Sequence, residues 1–207
     1  MLLELNSVFK RLLQMFNINL YNPDFVIECS KLVYCKDIYS EMRNQGIVKA
    51  YVYGMCFKPG PLTYDFSKVG KSCPDLGGKR EYQVGERITR QLSWVPGWAG
   101  PRVRSAHGAD FWFGIAHDMI PNELLPATFN KNDVTIAVWD ISKRMPLADI
   151  YDGEEQATGW AEGELANQYR NSFNKLPYLN KQDPTQGKYY KKGYVPKSTL
   201  DQFVQFS

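Results

Sequence analysis

The sequence predicts an α+β domain with a small central antiparallel or mixed sheet of about three strands, flanked by helices. Three segments rich in β-branched and aromatic residues, 47–57, 64–70 and 134–142, predict the strands. Segments 86–95 and 154–174 predict helices. The order along the chain is strand, strand, helix, strand, helix, which favours helices packed on one small sheet.

The composition is that of one folded domain with extensions. Of the 207 residues, 43% are hydrophobic and 23% are charged, which excludes a disordered chain or a fibre. No apolar run approaches the roughly 20 residues that a membrane-spanning helix requires, so we expect no membrane partner. Aromatic residues make up 14% of the chain, which favours both a packed core and a surface that grips a partner.

The first 44 residues predict an N-terminal helical extension. Hydrophobic residues recur with a helical period between Leu2 and Phe16, and a second helical stretch is expected from about Phe25 to Met42. Charges interrupt the first apolar face and no small-residue cleavage site follows it, so the segment is not typical of a signal peptide. We therefore expect an intracellular, cytoplasmic protein. This extension could cap the sheet, form a homodimer or contact DNA.

The cysteines are expected to be reduced thiols rather than metal ligands. Their spacing matches no zinc-binding motif, and only His107 and His117 could complete such a site. Partly buried thiols in an intracellular protein fit the spacing better. The four residues are Cys29, Cys35, Cys56 and Cys73.

The first two strands predict a hairpin with a loop of roughly six residues and one face of unusual chemistry. Tyr51 and Tyr53 share a face of the first strand, and Lys68 and Gly70 share a face of the second. A glycine two residues after a mid-strand lysine would let a phosphate or another backbone approach closely. The same lysine is also typical of an edge strand that resists aggregation, and both interpretations stay open.

In the long helix, Glu164 is predicted to lie on an apolar face. At 100° per residue, the apolar stripe runs from Ala157 through Ala161 and Leu165 to Tyr169, and Glu164 falls inside it. A carboxylate aimed into an apolar face costs desolvation unless it is paired, hydrogen-bonded or bound to a metal. A salt bridge, a more open edge of the stripe and a metal site therefore all remain open.

The charge is unevenly distributed although the total is only +3. Between Lys68 and Arg104, eight basic residues against three acidic ones give +5, so the rest of the chain sums to −2. Arg87, Arg90 and Gln91 share one face of the helix in this segment. Basic residues that cluster in this way favour contacts with a phosphate backbone.

A second basic cluster, interleaved with tyrosines, follows residue 180. Alternating basic and aromatic side chains suit phosphates and unstacked bases. Its members are Lys181, Lys188, Tyr189, Tyr190, Lys191, Lys192, Tyr194 and Lys197.

These motifs, in this order, resemble the GIY-YIG nuclease superfamily over about residues 47 to 180. The segment 50–55 (AYVYGM) is similar to the first signature strand, and 67–72 (SKVGKS) is similar to the second, with Lys68 in place of the usual tyrosine. The family's arginine resembles Arg87, its metal-binding glutamate resembles Glu164, and the asparagine that closes its core resembles Asn180.

The chain departs from the family pattern at several positions. Tyr53 precedes Lys68 by more residues than is usual in the family, so Tyr51 is a rival for the first signature tyrosine. Gln91 stands where family members often carry His or Tyr, and Arg80 and Arg90 are alternatives to Arg87. Glu162 is the alternative to Glu164, and helix geometry favours Glu164.

The resemblance implies a divalent-metal-dependent endonuclease that hydrolyses phosphodiester bonds in DNA. One Mg²⁺ or Mn²⁺ ion would be held by Glu164, Arg87 would grip the scissile phosphate, and Tyr53 or Lys68 would take the proton from the attacking water. Further DNA contacts are expected from Tyr51, Gly70, Lys71, Arg90 and Asn180.

The expected organisation is a helical extension over 1–44, a catalytic core over 45–182 and a basic, aromatic tail over 183–207. A microbial or phage origin, with the host cytoplasm as location, fits the compact chain, and a restriction, homing or repair role stays open. Two alternatives to a nuclease remain: a non-catalytic nucleic-acid-binding or regulatory protein on the same scaffold, and a purely structural interaction protein.

Overall fold

The computed structural model describes residues 18–47, 50–72, 84–100, 109–144, 150–187 and 190, and four strands in these ranges form one antiparallel sheet. The strands are β1 (Phe25–Glu28), β2 (Tyr51–Phe57), β3 (Lys68–Ser72) and β4 (Val134–Asp140). They lie side by side in the order β1-β4-β2-β3. The predicted α+β class is confirmed, and the sheet has one strand more than expected.

Helices cover both faces of this sheet. The α-helices are α1 (Asp37–Asn44), α2 (Glu86–Leu92), α3 (Ala109–Met119), α4 (Ile141–Arg144) and α5 (Ile150–Phe173). Short 3₁₀ helices lie at Cys29–Lys31, Asn122–Leu124, Lys131–Asp133 and Pro184–Gln186. None of the helices in the described ranges is long and apolar enough to cross a bilayer.

The fourth strand comes from the segment that was expected to be helical. Phe25–Glu28 pairs with β4 in a register that runs from Phe25 opposite Val138 to Glu28 opposite Thr135. The expected helix over 25–42 is therefore wrong in its first half, because this β-branched segment finds a partner strand that local periodicity does not reveal. The 3₁₀ helix at Cys29–Lys31 and α1 are the helical parts of this segment. The amphipathic stretch from Leu2 to Phe16 lies outside the described residues.

The central strand β2 separates two hydrophobic layers. Tyr51, Tyr53, Met55 and Phe57 pack toward α1, α2 and α3, whereas Val52 and Cys56 pack toward α5. All seven residues of the strand are buried, as expected for a strand covered on both faces. Burial of side chains on both sides makes β2 the centre of the core.

The other predicted elements are present with shifted bounds. The connection between β2 and β3 spans 58–67 and is longer than expected, since 64–67 do not pair as strand. Within it, Lys58 and Asp65 form an ion pair at 2.5 Å. The apolar stretch at 111–120, for which no element was assigned, belongs to α3.

Candidate active site

A cleft of about 820 Å³ opens at the β3 edge of the sheet. Its walls come from β3, α2, α5 and the segment 179–187. The charged residues that line it are Lys68, Lys71, Arg87, Glu162, Lys181 and Asp183. Because β3 is the last strand, groups from both faces of the sheet can meet at this edge.

Strand alternation sends the two lysines of β3 to opposite faces. Lys68 lies opposite Met55 and Gly70 lies opposite Tyr53, so both belong to the face that α2 covers. Lys71, at an odd offset from them, lies on the α5 face, where its Nζ is 3.4 Å from Glu162 Oε2. The cleft thus joins Arg87 of the α2 layer to Glu162 of the α5 layer across the edge of β3.

Gly70 is required because the Tyr53 ring lies against it. A Cβ atom at position 70 would lie 2.6 Å from the Tyr53 hydroxyl oxygen. The close approach that the glycine allows is therefore filled by Tyr53. The expected direct contact of DNA with Gly70 is not supported, because Gly70 is itself buried.

Tyr53 is enclosed beneath the cleft. Its side chain is 0% exposed, and its hydroxyl donates a hydrogen bond to Gln91 Oε1 at 2.9 Å. Burial raises the pKa of Tyr53 well above its usual value, and the nearby Arg87 charge opposes the shift only in part. A buried phenol whose hydroxyl donates a hydrogen bond to an amide oxygen has no direct access to a water molecule in the cleft.

Tyr51 also belongs to the core. It is 0% exposed, and its hydroxyl accepts a hydrogen bond from Gly85 N at 3.1 Å. Gly85 has a φ of 86° and immediately precedes α2, a conformation that favours glycine. Tyr51 therefore holds the start of the helix that carries Arg87. The DNA contact of Tyr51 stays a prediction, and in this structure neighbouring residues cover the ring.

Lys68 reaches into the cleft with an altered titration. Its Nζ donates a hydrogen bond to the Leu179 carbonyl at 3.1 Å. Burial and, to a lesser extent, the Arg87 charge lower the pKa of Lys68 to about 8, and Glu162 opposes the shift. A substantial fraction of this amine is consequently neutral at mildly alkaline pH.

The structure places Glu162, and not Glu164, in the cleft that Lys68, Lys71 and Arg87 line. Glu164 Oε2 accepts a hydrogen bond from the Tyr190 hydroxyl at 3.1 Å, and Glu164 Oε1 accepts one from Gln168 Nε2 at 2.8 Å. Gln168 in turn bonds the Ile18 carbonyl and the Leu20 amide. Glu164 is thus part of a structural network that joins α5 to segments near both ends of the chain.

The helical wheel pointed to Glu164 because it treated the apolar stripe as the side that faces the site. Glu162 and Glu164 are about 200° apart around the helix axis, so only one of them can face β3. Glu162, and not the preferred Glu164, therefore lines the cleft, while the metal ligand itself stays a prediction. The stripe itself is buried as predicted, with Ala161 and Leu165 in the core.

Arg90 and Asn180, the two other predicted DNA contacts, both have structural partners within the domain. Arg90 forms an ion pair with Glu86 one turn earlier on α2 and is not among the residues that line the cleft. Asn180 does line it, but its side-chain amide is used by β3: Oδ1 accepts from Val69 N at 2.9 Å and Nδ2 donates to Val69 O at 2.8 Å. Asn180 therefore continues the sheet pairing beyond the edge strand.

Two carboxylates line the cleft, Glu162 and Asp183, and Asp183 already forms an ion pair with Arg170. No group of three or more His, Cys, Asp or Glu side chains that could hold a metal occurs among the described residues. Mg²⁺ is often held by one or two carboxylates with water and substrate phosphates as the other ligands. Glu162 could supply that carboxylate, in competition with Lys71.

The sequence contained weak signals for the residues that were missed. The sequence offers Glu162 as the alternative to Glu164, and nothing local to α5 indicates that Lys71 lies beside Glu162. Gln91 sits one helical turn after Arg87, which predicts a shared face but not the bond from Tyr53. Lys79, Arg80, Arg102, Arg104 and most of the basic tail lie outside the described residues.

No protein-family model matches the chain, and no significant match is found among curated proteins or solved structures. The function of the cleft therefore has to be inferred from its own residues.

Proposed function

We propose that the cleft hydrolyses phosphodiester bonds in DNA with the help of one divalent metal ion. The observation that carries the proposal is the convergence of Arg87, Lys68, Lys71 and Glu162 on one cleft. Phosphodiester hydrolysis needs an oriented phosphate, an activated water and compensation of the charge that develops on the phosphoryl oxygens. Each requirement has a residue of suitable chemistry here. The resemblance to GIY-YIG nucleases supports the same function.

Arg87 is the residue proposed to grip the scissile phosphate. It is exposed at the first turn of α2, and its planar guanidinium can form two parallel hydrogen bonds with phosphate oxygens. Lys71 adds a second positive charge on the opposite face of β3. A phosphate between them would be contacted from both layers of the domain.

Lys68 is the better of the two proposed bases. Its pKa of about 8 leaves part of the amine neutral near physiological pH, and it lines the cleft. Tyr53 is buried and donates a hydrogen bond to Gln91. We therefore assign proton removal from the attacking water to Lys68, and we assign to Tyr53 the support of the nearby Arg87.

Glu162 is the residue that would hold the metal ion. When bound, a divalent cation supplies charge compensation to the phosphoryl oxygens and lowers the pKa of coordinated water. The carboxylate of Glu162 is about one-fifth exposed, at 20%, and is therefore accessible to an ion from the cleft. We also retain the predictions of a homodimer and of an intracellular location as proposals.

A non-catalytic nucleic-acid-binding protein is the second candidate. The specific observation in its favour is the charge ratio, because four basic residues line the cleft and both of its carboxylates, Glu162 and Asp183, already contact a basic side chain. The four are Lys68, Lys71, Arg87 and Lys181. Such a cleft can bind a phosphate backbone without a metal ion.

Incubation of the protein with supercoiled plasmid and Mg²⁺, with an EDTA control, separates the two candidates. Cleavage that requires the metal and is lost in Arg87→Ala supports the nuclease. Retention of DNA without cleavage, over a range of metal ions, supports the binding protein and contradicts the nuclease.

A further inference from the structure

Residues 179–186 form one wall of the cleft, and this wall is held at both of its ends. At one end, Leu179 N donates to Ser67 O at 2.8 Å, and the Asn180 amide forms its two bonds with Val69. At the other end, Asp183 accepts a hydrogen bond from Thr185 N at 2.9 Å and forms an ion pair with Arg170 of α5. The wall therefore joins the edge strand to the long helix.

Only two residues lie between these anchors, and both line the cleft. Lys181 and Gln182 are exposed, whereas their neighbours are at least partly buried. The backbone that carries them is held on both sides before a ligand binds. Binding at these side chains therefore does not have to order the backbone.

The ion pair also changes the charge of the wall. Asp183 lines the cleft, and its carboxylate would repel a phosphate. Hydrogen bonds from Thr185 and Arg170 overcome the effect of burial and lower the pKa of Asp183, so the group is ionised. Because Arg170 compensates this charge, the Asp183 carboxylate does not oppose the approach of a phosphate to the wall.

We propose that the wall 179–186 is a second phosphate-contacting surface, on which the Arg170–Asp183 pair holds the backbone and neutralises the carboxylate, while Lys181 contacts a backbone phosphate beside the one gripped by Arg87. This inference rests on the proposed function only in that nucleic acid enters the cleft. Lys181 is thereby assigned to binding, and Arg170 and Asp183 are assigned to positioning.

The test measures affinity for a short DNA duplex in EDTA, over a series of salt concentrations, so that cleavage plays no part. Lys181→Gln should weaken binding about three- to tenfold at low salt and reduce the slope of log K against log salt by about one. Lys31→Gln is the matched control, because Lys31 follows β1 at the other edge of the sheet and pairs with Glu28. It should change neither the affinity nor the slope.

Variants of the ion pair separate charge compensation from a general structural effect. Arg170→Gln leaves the Asp183 carboxylate uncompensated and should weaken binding. The double variant Arg170→Gln with Asp183→Asn removes that charge and should recover most of the loss. Thermal unfolding of each variant provides the check on folding, and the double variant keeps the test decisive if Arg170→Gln unfolds.

The outcomes for the wall and for the nuclease are distinct. If Lys181→Gln has the same salt slope as the wild type and Lys31→Gln, the proposal that the wall contacts a phosphate is contradicted. It is also contradicted if the double variant binds DNA no more tightly than Arg170→Gln. If the wild type binds DNA but never cleaves it, and Lys181→Gln shows the expected smaller slope, the proposal for the wall is supported and the nuclease is contradicted. A wild-type protein with no salt-dependent affinity for DNA overturns the wall and both proposed functions.

Discussion

Lys71 Nζ lies 3.4 Å from Glu162 Oε2, across the boundary between the edge strand and the long helix. The side chains are 26% and 20% exposed, so solvent screens the pair and its contribution to stability is small, at about 0–1 kcal/mol. Its larger importance is for ligand binding, because a cation that binds Glu162 must replace or share this contact.

We therefore expect Lys71→Gln to lower the Mg²⁺ concentration at which cleavage is half-maximal. The loss of a competing cation worth about 1 kcal/mol or less predicts a change of up to about fivefold. The measurement is a magnesium titration at saturating DNA, with Lys31→Gln as the control for removal of a distant positive charge. An unchanged or higher magnesium requirement would contradict the assignment of the metal to Glu162.

The two glutamates of α5 form a natural matched pair for mutation. Glu162→Gln should reduce cleavage at least about 100-fold, since loss of a preorganised electrostatic contribution typically costs this much. Glu164→Gln keeps an oxygen that can accept the Tyr190 hydrogen bond and should leave cleavage within about twofold of the wild type. The same loss in both variants, or in Glu164→Gln alone, would return the metal ligand to Glu164.

Lys68 predicts an activity that increases with pH. A base with a pKa of about 8 is protonated below that value, so the cleavage rate should rise about tenfold per pH unit below 8 and level off above it. Lys68→Arg, which stays protonated throughout, should remove both the activity and the rise. A profile that is flat from pH 6 to 9 would argue against Lys68 as the base.

The lowered pKa of Lys68 also makes the stability of the fold depend on pH. In the unfolded chain the amine regains its usual pKa of about 10.4. Between about 8 and that value the unfolded state binds more protons than the folded state, so this group makes folding more favourable as pH rises through that window. Comparison of the denaturant midpoints of wild type and Lys68→Met from pH 7 to 10 isolates this contribution.

Asn180 should stabilise the domain through the backbone of β3. Asn180→Ala leaves the amide and carbonyl of Val69 without these partners, and Val69 itself is 1% exposed. We expect a loss of about 1–3 kcal/mol, measured by urea unfolding. Asn180→Asp keeps the acceptor but loses the donor, and should fall between alanine and wild type. Equal stability of all three proteins would rule out this role.

Local sequence patterns were sufficient for the elements that are stabilised by their own periodicity. β2, β4, α2 and α5 lie close to their predicted positions because β-branched runs and helical stripes are properties of contiguous residues. β1 was missed because four residues carry too little periodicity, and its partner strand lies far along the chain. The fold class was nevertheless unaffected, since an additional edge strand leaves the layers unchanged.

The candidate site was predictable in its residue types and less so in its geometry. Arg87, Lys68 and Asn180 meet at one cleft as the order of motifs suggested. The choice between Glu162 and Glu164 depends on which side of α5 faces β3 and on what covers the other side, here Tyr190 and Gln168. Such information is tertiary and is absent from a helical wheel.

Gly70 and Gly163 impose a constraint on how this sequence can vary. A Cβ atom at position 163 would lie 2.6 Å from the Tyr190 ring, as close as a Cβ atom at position 70 would lie to the Tyr53 hydroxyl. Saturation mutagenesis should therefore find both positions almost intolerant of replacement, although neither contributes a reactive group. Position 114, where a Cβ atom would meet nothing within 4 Å, should accept alanine freely. Essentiality at positions 70 and 163 would report steric room for a tyrosine, and would be misleading if it were interpreted as catalysis.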